Sequence, residues 1–137
     1  MMISTKGRYA LRVMTDLAQH NDDRYLSLKE ISERQEISMK YLESIVATLY
    51  KAGFLDSMRG KKGGYKLRYR PSDYTLESIL QISEGSLAPV ACMKLEKNVE
   101  CTRAETCITL PLWQKLNDIV TNYLESVTLE DLLNGTV

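Results

Sequence analysis

The chain has 137 residues, 44% of them apolar, which suffices for one globular core with an added pairing element and excludes a disordered composition. No run approaches the roughly 18 continuous apolar residues of a membrane span, and the N-terminus MMISTKGRYA lacks the apolar centre of a signal peptide, so a cytoplasmic location and no membrane partner are expected. The net charge of zero hides an asymmetry: residues 1–70 carry 14 Lys and Arg against 8 Asp and Glu, residues 71–137 carry 4 against 10, and an electropositive front joined to an acidic rear suits a polyanion reader with a separate sensing or pairing half.

Residues 6–19 read as a first helix, with Ala10, Val13, Met14, Leu17 and Ala18 on one face and Lys6, Arg8, Arg12 and Asp16 off it. His20, the one histidine of the chain, stands at the end of that helix, where a solvated or capping role fits better than a metal or catalytic one. Ser27 and Glu30 then make a capping box, and Leu26 and Ile31 a hydrophobic staple, for a second helix ending near Arg34. Ser38 caps a third helix with Ile37 and Leu42 as its staple, and Leu42, Ile45, Val46 and Leu49 recur at helical spacing until Gly53 supplies a left-handed stop. Two short helices joined by a tight turn predict a helix-turn-helix.

On the second helix of that motif Met39, Lys40, Tyr41, Glu43, Ser44 and Ala47 lie off the apolar stripe, toward the end where recognition helices meet base edges. Lys40 can contact phosphate or guanine, and Ser38, Tyr41 and Ser44 lie beside it. Glu43 has two readings: a carboxylate that accepts from a cytosine amine, or the partner of a nearby lysine on a solvated face.

Two strand-length runs follow, 55–59 and 65–69, separated by Gly60, Gly63 and Gly64, which permit a hairpin turn. In the second run Tyr65, Leu67 and Tyr69 alternate with Lys66, Arg68 and Arg70, so one face can pack while the other stays cationic. From Arg59 to Arg70 there are six basic side chains and no acidic one. By itself this is a solvated cationic hairpin; directly behind a helix-turn-helix it reads as a wing that binds DNA, with Arg59, Gly60, Lys61 and Lys62 at its tip.

After Pro71 a short connecting helix is expected over 75–84, ending at Gly85. Residues 86–107 then lose periodicity and hold Pro89 and all three cysteines, which is too long and too particular a composition for a routine connection. Pro111 fits the first turn of a last long helix over 112–127, whose apolar face (Leu112, Trp113, Leu116, Ile119, Val120, Tyr123, Leu124, Val127) is wider than a domain of this size needs. Part of that face is expected to cover the winged head and part, through Trp113, Leu116, Val120, Tyr123 and Leu124, to meet the same helix of a second chain. Thr128, Asp131 and Gly135 bound a final short turn. The expected organisation is therefore a head over 1–71, a connecting helix and cysteine loop over 72–108, and a dimerisation helix with its C-terminal turn over 109–137.

Cys92, Cys101 and Cys107 follow the spacing C-x8-C-x5-C. Three thiolates brought together suit zinc or an iron-sulfur cluster, whereas magnesium or calcium would want oxygens. No C-x2-C or H-x3-H pair of a zinc finger is present, and unliganded or redox-active thiols are the competing reading. No catalytic set can be assembled, because one histidine at a helix end offers neither a Cys-His nor a Ser-His-Asp arrangement, and the glycines at 60–64 precede no helix that could cradle a phosphate.

The opening STKGRYALRVM, the segment ISERQEISMKYLE, the wing RGKKGGYKL and the C-x8-C-x5-C followed by LW closely resemble, over almost the whole chain, the IscR/NsrR/CymR family of winged helix-turn-helix transcription regulators. The likeness is nearest to the branches that carry a cysteine triplet. It implies a mainly α-helical fold with a small β-hairpin wing, and a homodimer whose long C-terminal helices cross. It implies double-stranded DNA as partner, read as a palindromic operator by the helix around 38–44 and by Arg59 and Gly60 in the minor groove. It further implies an iron-sulfur cluster of two-iron or four-iron type on Cys92, Cys101 and Cys107 that controls operator affinity. Two family ligands are missing here: the place of a histidine beyond the third cysteine is Leu110, and that of an aspartate on the first helix is Arg8, leaving Glu105, Thr109 or solvent as the fourth ligand. The alternative within the same fold is a cluster-free regulator controlled by its thiols, a metabolite or a partner protein.

Overall fold

The helices of the head begin where a side chain can satisfy an otherwise unpaired backbone N–H. In the computed structural model, which describes residues 3–93 and 101–137, helix α1 (Thr5–Gln19) is followed by α2 (Leu28–Gln35) and α3 (Met39–Lys51). Ser27 Oγ accepts from Glu30 N at 3.2 Å while Ser27 N donates to Glu30 Oε2 at 2.9 Å, the reciprocal box that the sequence predicts at the start of α2. Ser38 Oγ accepts from Tyr41 N at 3.3 Å at the start of α3, and Gly53, with φ +80°, turns the chain out of it. The turn between α2 and α3 passes through Glu36 at φ 54°, a left-handed conformation carried by a residue with a Cβ.

Strands β1 (Leu55–Met58) and β2 (Gly64–Leu67) pair antiparallel, with Leu55 opposite Leu67 and Met58 opposite Gly64. Leu26 adds a further bridge to the outer edge of β2: Leu26 N donates to Tyr65 O and Tyr65 N to Leu26 O, both at 2.8 Å. The sequence shows Leu26 only as half of a staple; its second role depends on Gly64, where a Cβ would collide with the Leu26 carbonyl.

The core joins the head to the rest of the chain. Val13 and Met14 of α1, Leu26, Ile31, Leu42, Val46, Leu49 and Leu55 pack with Ile79 of α4 (Leu76–Glu84) and Leu129 of α6 (Leu129–Asn134), each at most 1% exposed. Helix α1 lies at the centre, packed on α4, α6, α3, α2 and β2. One expectation fails here: Asp16, assigned off the apolar face of α1, is 1% exposed, because Arg34 and Gln35 of α2 close over its carboxylate with hydrogen bonds of 2.9–3.0 Å. His20 caps the same helix, its Nδ1–H donating to the Asp16 carbonyl at 2.8 Å.

Helix α5 (Leu110–Ser126) behaves differently, since none of its residues is buried. Trp113, Val120 and Leu124 are half-buried and mark the side that packs on α4, a thinner cover than the wide face suggests. Leu112, Leu116, Ile119 and Tyr123, spaced four, three and four residues apart, form an adjoining stripe that is 59, 38, 55 and 54% exposed. The C-terminal end of α5 is pinned to the start of the connecting segment, where Leu76 N donates to Val127 O and Leu129 N to Tyr74 O, both at 2.9 Å. Thr128 and Asp131 form the expected capping box of α6, and Gly135 closes it with φ +68°.

Candidate functional site

The amphipathic register of α3 buries Leu42, Ile45, Val46 and Leu49, which leaves Ser38, Lys40, Tyr41, Glu43 and Ser44 exposed along its first two turns. Tyr41 is held from behind: its ring meets Tyr9 of α1 edge-on at 5.6 Å, and the Arg12 guanidinium lies 5.2 Å from the Tyr9 ring centre. Arg12 also donates from Nε to Gln35 Oε1 at 3.2 Å and from Nη2 to the Gln35 carbonyl, so it ties the end of α2 to α1 while Tyr9 beside it meets α3. Among the described residues neither Lys40 nor Glu43 takes part in an ion pair.

The hairpin divides its six cations into two groups. Lys66 sits 4.0 Å from Asp23 and 4.9 Å from the centre of the Tyr25 ring, Arg68 Nε donates to Asp56 at 2.9 Å, and Arg70 Nε lies 3.4 Å from Asp73. These acids lie outside the 59–70 window in sequence and neutralise the face that the strand alternation leaves cationic. At the tip Arg59, Gly60, Lys61 and Lys62 are exposed, and among the described residues the three cations have no acidic partner. Gly60, at φ +106°, and Gly63, whose N donates to Gly60 O at 3.0 Å, turn this tip tightly. An exposed helix face and an uncompensated cationic tip, carried by adjoining elements of one core, can grip duplex phosphate while presenting side chains to base edges.

The three cysteines are free thiols. Cys101 and Cys107 are half-buried and line one cavity of about 330 Å3 with Arg103, Thr106, Ile108 and Thr109, just ahead of α5. Cys107 Sγ lies 3.3 Å from Thr109 Oγ1, and that hydrogen bond, then those of the Thr109 and Leu110 backbone and the charge of Arg103, hold its thiol below the ordinary value for cysteine. Cys92 is exposed on a separate 3-10 turn (Ala91–Met93) and is not part of that lining. Residues 94–100 of the loop lie outside the described residues. Three thiols have the donor chemistry a cluster requires, yet only two line a common cavity, and among the described residues no group of three His, Cys, Asp or Glu is gathered to hold a metal ion. Glu105 and Thr109, open as fourth ligands, are both exposed.

Four residues of this region escape sequence reasoning: Tyr9 and Arg12, which back the reading helix, and Gly7 and Glu84, which meet between α1 and α4. Gly7 alone left a signal, being a glycine inside an otherwise regular helix.

A recognition helix with a cationic hairpin beside it defines a winged helix-turn-helix, and the long C-terminal helix completes the plan of a DNA-binding regulator. Residues 3–135 match the model of the Rrf2 family, described as iron-dependent transcriptional regulators. Protein rrf2 of Nitratidesulfovibrio vulgaris is 35% identical over 97% of this chain and 87% of its own length. The HTH-type transcriptional regulator IscR of Photorhabdus laumondii is 37% identical over 98% of this chain and 80% of its own. Among solved structures, CymR, the global cysteine regulator of B. subtilis, superposes with a TM-score of 0.79 at 37% identity, covering 100% of this chain and 99% of that one. The oxidized form of Staphylococcus aureus CymR gives 0.76 at 36% identity, covering 96% and 95%. The chain belongs to the Rrf2 family: it is a DNA-binding transcription regulator and not an enzyme. Among the described residues no helix is long and apolar enough to cross a membrane.

Proposed function

We propose that this regulator acts in the cytoplasm as a homodimer on a palindromic operator, with its affinity set by an iron-sulfur cluster on Cys92, Cys101 and Cys107. The reading helix supplies Ser38, Lys40, Tyr41, Glu43 and Ser44, and the wing tip supplies Arg59, Gly60, Lys61 and Lys62. The observation that carries the sensing half is the cavity shared by Cys101 and Cys107 at the start of α5, the helix with the unpartnered apolar stripe. The iron-dependent description of the family supports the same reading. A bound cluster would supply a bridge between loop thiolates that is sensitive to redox state, nitric oxide or cluster supply.

The residues of the chain do the rest. Leu116 and Tyr123, with Leu112 and Ile119 beside them, form the exposed seam that sets the placement of the two heads, Trp113, Val120 and Leu124 lie on its half-buried flank, and half-sites follow about one helical turn apart. A change in the loop matters only if it stabilises the DNA-competent arrangement differently from the incompetent one; the usual scale is about 1–3 kcal/mol, or about five- to 150-fold in affinity. Anaerobic purification followed by visible absorption tests the reading. A brown protein whose colour disappears in Cys92→Ala is expected; colourless protein that takes up no iron and sulfide on reconstitution would defeat it.

A second reading is favoured by one observation. Cys107 faces the cavity with its thiol already acidified, Cys101 lines the same cavity, and the S. aureus relative has an oxidized form. Direct oxidation of these thiols would then be the signal. Operator affinity of cluster-free protein that changes with peroxide and returns with a thiol reductant marks this mechanism.

A further inference from the structure

Helix α4 is fastened at both ends, to the C-terminal end of α5 at one and to the head at the other. Its first turn is tied through Leu76 to Val127 and is remote in sequence from the cysteine loop. Its last residue, Glu84, stands two positions before Ser86, where the loop begins, and reaches across to the first turn of α1. Glu84 Oε1 accepts from Ser4 N at 2.8 Å, from Ser4 Oγ at 2.8 Å and from Gly7 N at 3.1 Å. Ser4 occupies the N-cap position of α1 but makes no capping bond with its own side chain. The carboxylate of another helix caps it instead, at the end of the helix where a negative charge is favoured.

Gly7 is shaped for this contact. It is buried inside α1, where alanine would be the better helix former, and a Cβ at this position would collide with Glu84 Oε1. Two residues further along α1 stands Tyr9, whose ring braces Tyr41 at the start of the reading helix. A continuous line of contacts therefore runs from the root of the loop through Glu84 to Ser4 and Gly7, and along α1 to Tyr9 and Tyr41.

We propose that Glu84 is a positioning residue for DNA recognition: by holding the first turn of α1, its carboxylate carries the state of the cysteine loop to the reading head. This rests on the loop being the sensing element, as set out under Proposed function. The contact suits the role because three hydrogen bonds converge on one oxygen, so a shift of the root of the loop would loosen all three together.

The test compares operator affinity in two states of the loop. The probe is a labelled duplex recovered from a random library with the wild-type dimer. Anisotropy is recorded for cluster-free protein in reductant, for protein reconstituted with ferrous iron and sulfide, and for protein oxidised with diamide. The wild type is expected to bind about five- to 150-fold differently between the reduced form and one of the other two. Glu84→Ala should bring that ratio to within about twofold, below the usual range of coupling, while remaining folded by circular dichroism. Glu84→Gln, whose amide oxygen can accept the same N–H groups, should retain most of the ratio. Gly7→Ala should behave like Glu84→Ala although it strengthens the helix itself, which separates loss of coupling from loss of stability. Hydrogen exchange at the amides of Ser4 and Gly7 should differ between loop states in the wild type and not in Glu84→Ala. If Glu84→Ala and Gly7→Ala keep the wild-type ratio, this inference is overturned and the sensing loop stands. If the wild type itself binds equally in every state, the sensing reading falls and takes the inference with it.

Discussion

The Asp16 carboxylate on α1 is gripped by Arg34 at the end of α2 through two hydrogen bonds, Nε to Oδ1 at 3.0 Å and Nη2 to Oδ2 at 2.9 Å. Gln35 Nε2 adds a third at 3.0 Å, and the acid is 1% exposed. Burial alone would push this carboxyl up, but the hydrogen bonds from Arg34 and Gln35, with the charges of Arg34 and His20, outweigh it and hold it below the ordinary range for aspartate. The pair ties the end of the first helix of the motif to α1.

Asp16→Ala strands Arg34 and Gln35 without their acceptor. Arg34 is a third exposed, so solvent softens the loss, and about 1–3 kcal/mol of unfolding free energy should disappear at pH 7. Because the folded-state pKa is depressed, the contribution is present above the unfolded value near 4 and fades as pH falls through the folded one. Urea titrations of wild type and variant should therefore differ at pH 7, and the gap should narrow as the pH falls below the ordinary aspartate range; a gap that stays constant with pH would show that charge plays no part in the clamp.

Charge at the wing tip should be separable from charge on the strand. Lys61→Ala with Lys62→Ala removes two unpaired cations and should weaken all duplex sequences about equally, with the slope of log affinity against log salt falling by about two. Lys66→Ala removes a cation already engaged with Asp23 and Tyr25 and should alter the slope by much less. Equal slopes in all three proteins would place the phosphate grip elsewhere.

Glu43 is exposed on α3 with no cation paired to it among the described residues, so under the proposed reading its carboxylate would meet the duplex without a protein partner. Removing it as Glu43→Ala should relieve repulsion on non-cognate duplexes and abolish a preference worth about 1–3 kcal/mol at one base position. Selection from a random library with each protein reads this directly: identical consensus sequences would assign Glu43 to a solvated face.

The exposed stripe on α5 should be the seam of the dimer. Leu116→Glu and Ile119→Glu each place a charge where an apolar side chain gains about 1.5–3 kcal/mol on full burial, and each should shift the protein toward monomer in sedimentation velocity. Trp113 is half-buried on the flank beside that stripe, and Trp113→Ala should lower thermal stability more than it weakens dimerisation. The reverse pattern would move the seam onto the half-buried stripe.

The local grammar of the chain was legible from its residues. Ser27 and Glu30, Ser38, Thr128 and Asp131, and the glycines at 53 and 135 mark helix ends because capping is a contact between near neighbours, and near neighbours are adjacent in the sequence. The reading helix and the glycine-bounded hairpin were visible for the same reason, as was the cysteine spacing. What tertiary structure decided is which of these groups are already engaged. Lys66, Arg68 and Arg70 look as available in the sequence as Lys61 and Lys62, but Asp23, Asp56 and Asp73 reach them only once the chain has folded. Asp16 looks solvated until α2 closes over it, and Glu84 and Gly7, 77 positions apart, meet only because α4 packs on α1. Periodicity and capping are written in short windows of sequence, whereas the pairing of buried and charged groups is fixed by long-range packing that no short window contains.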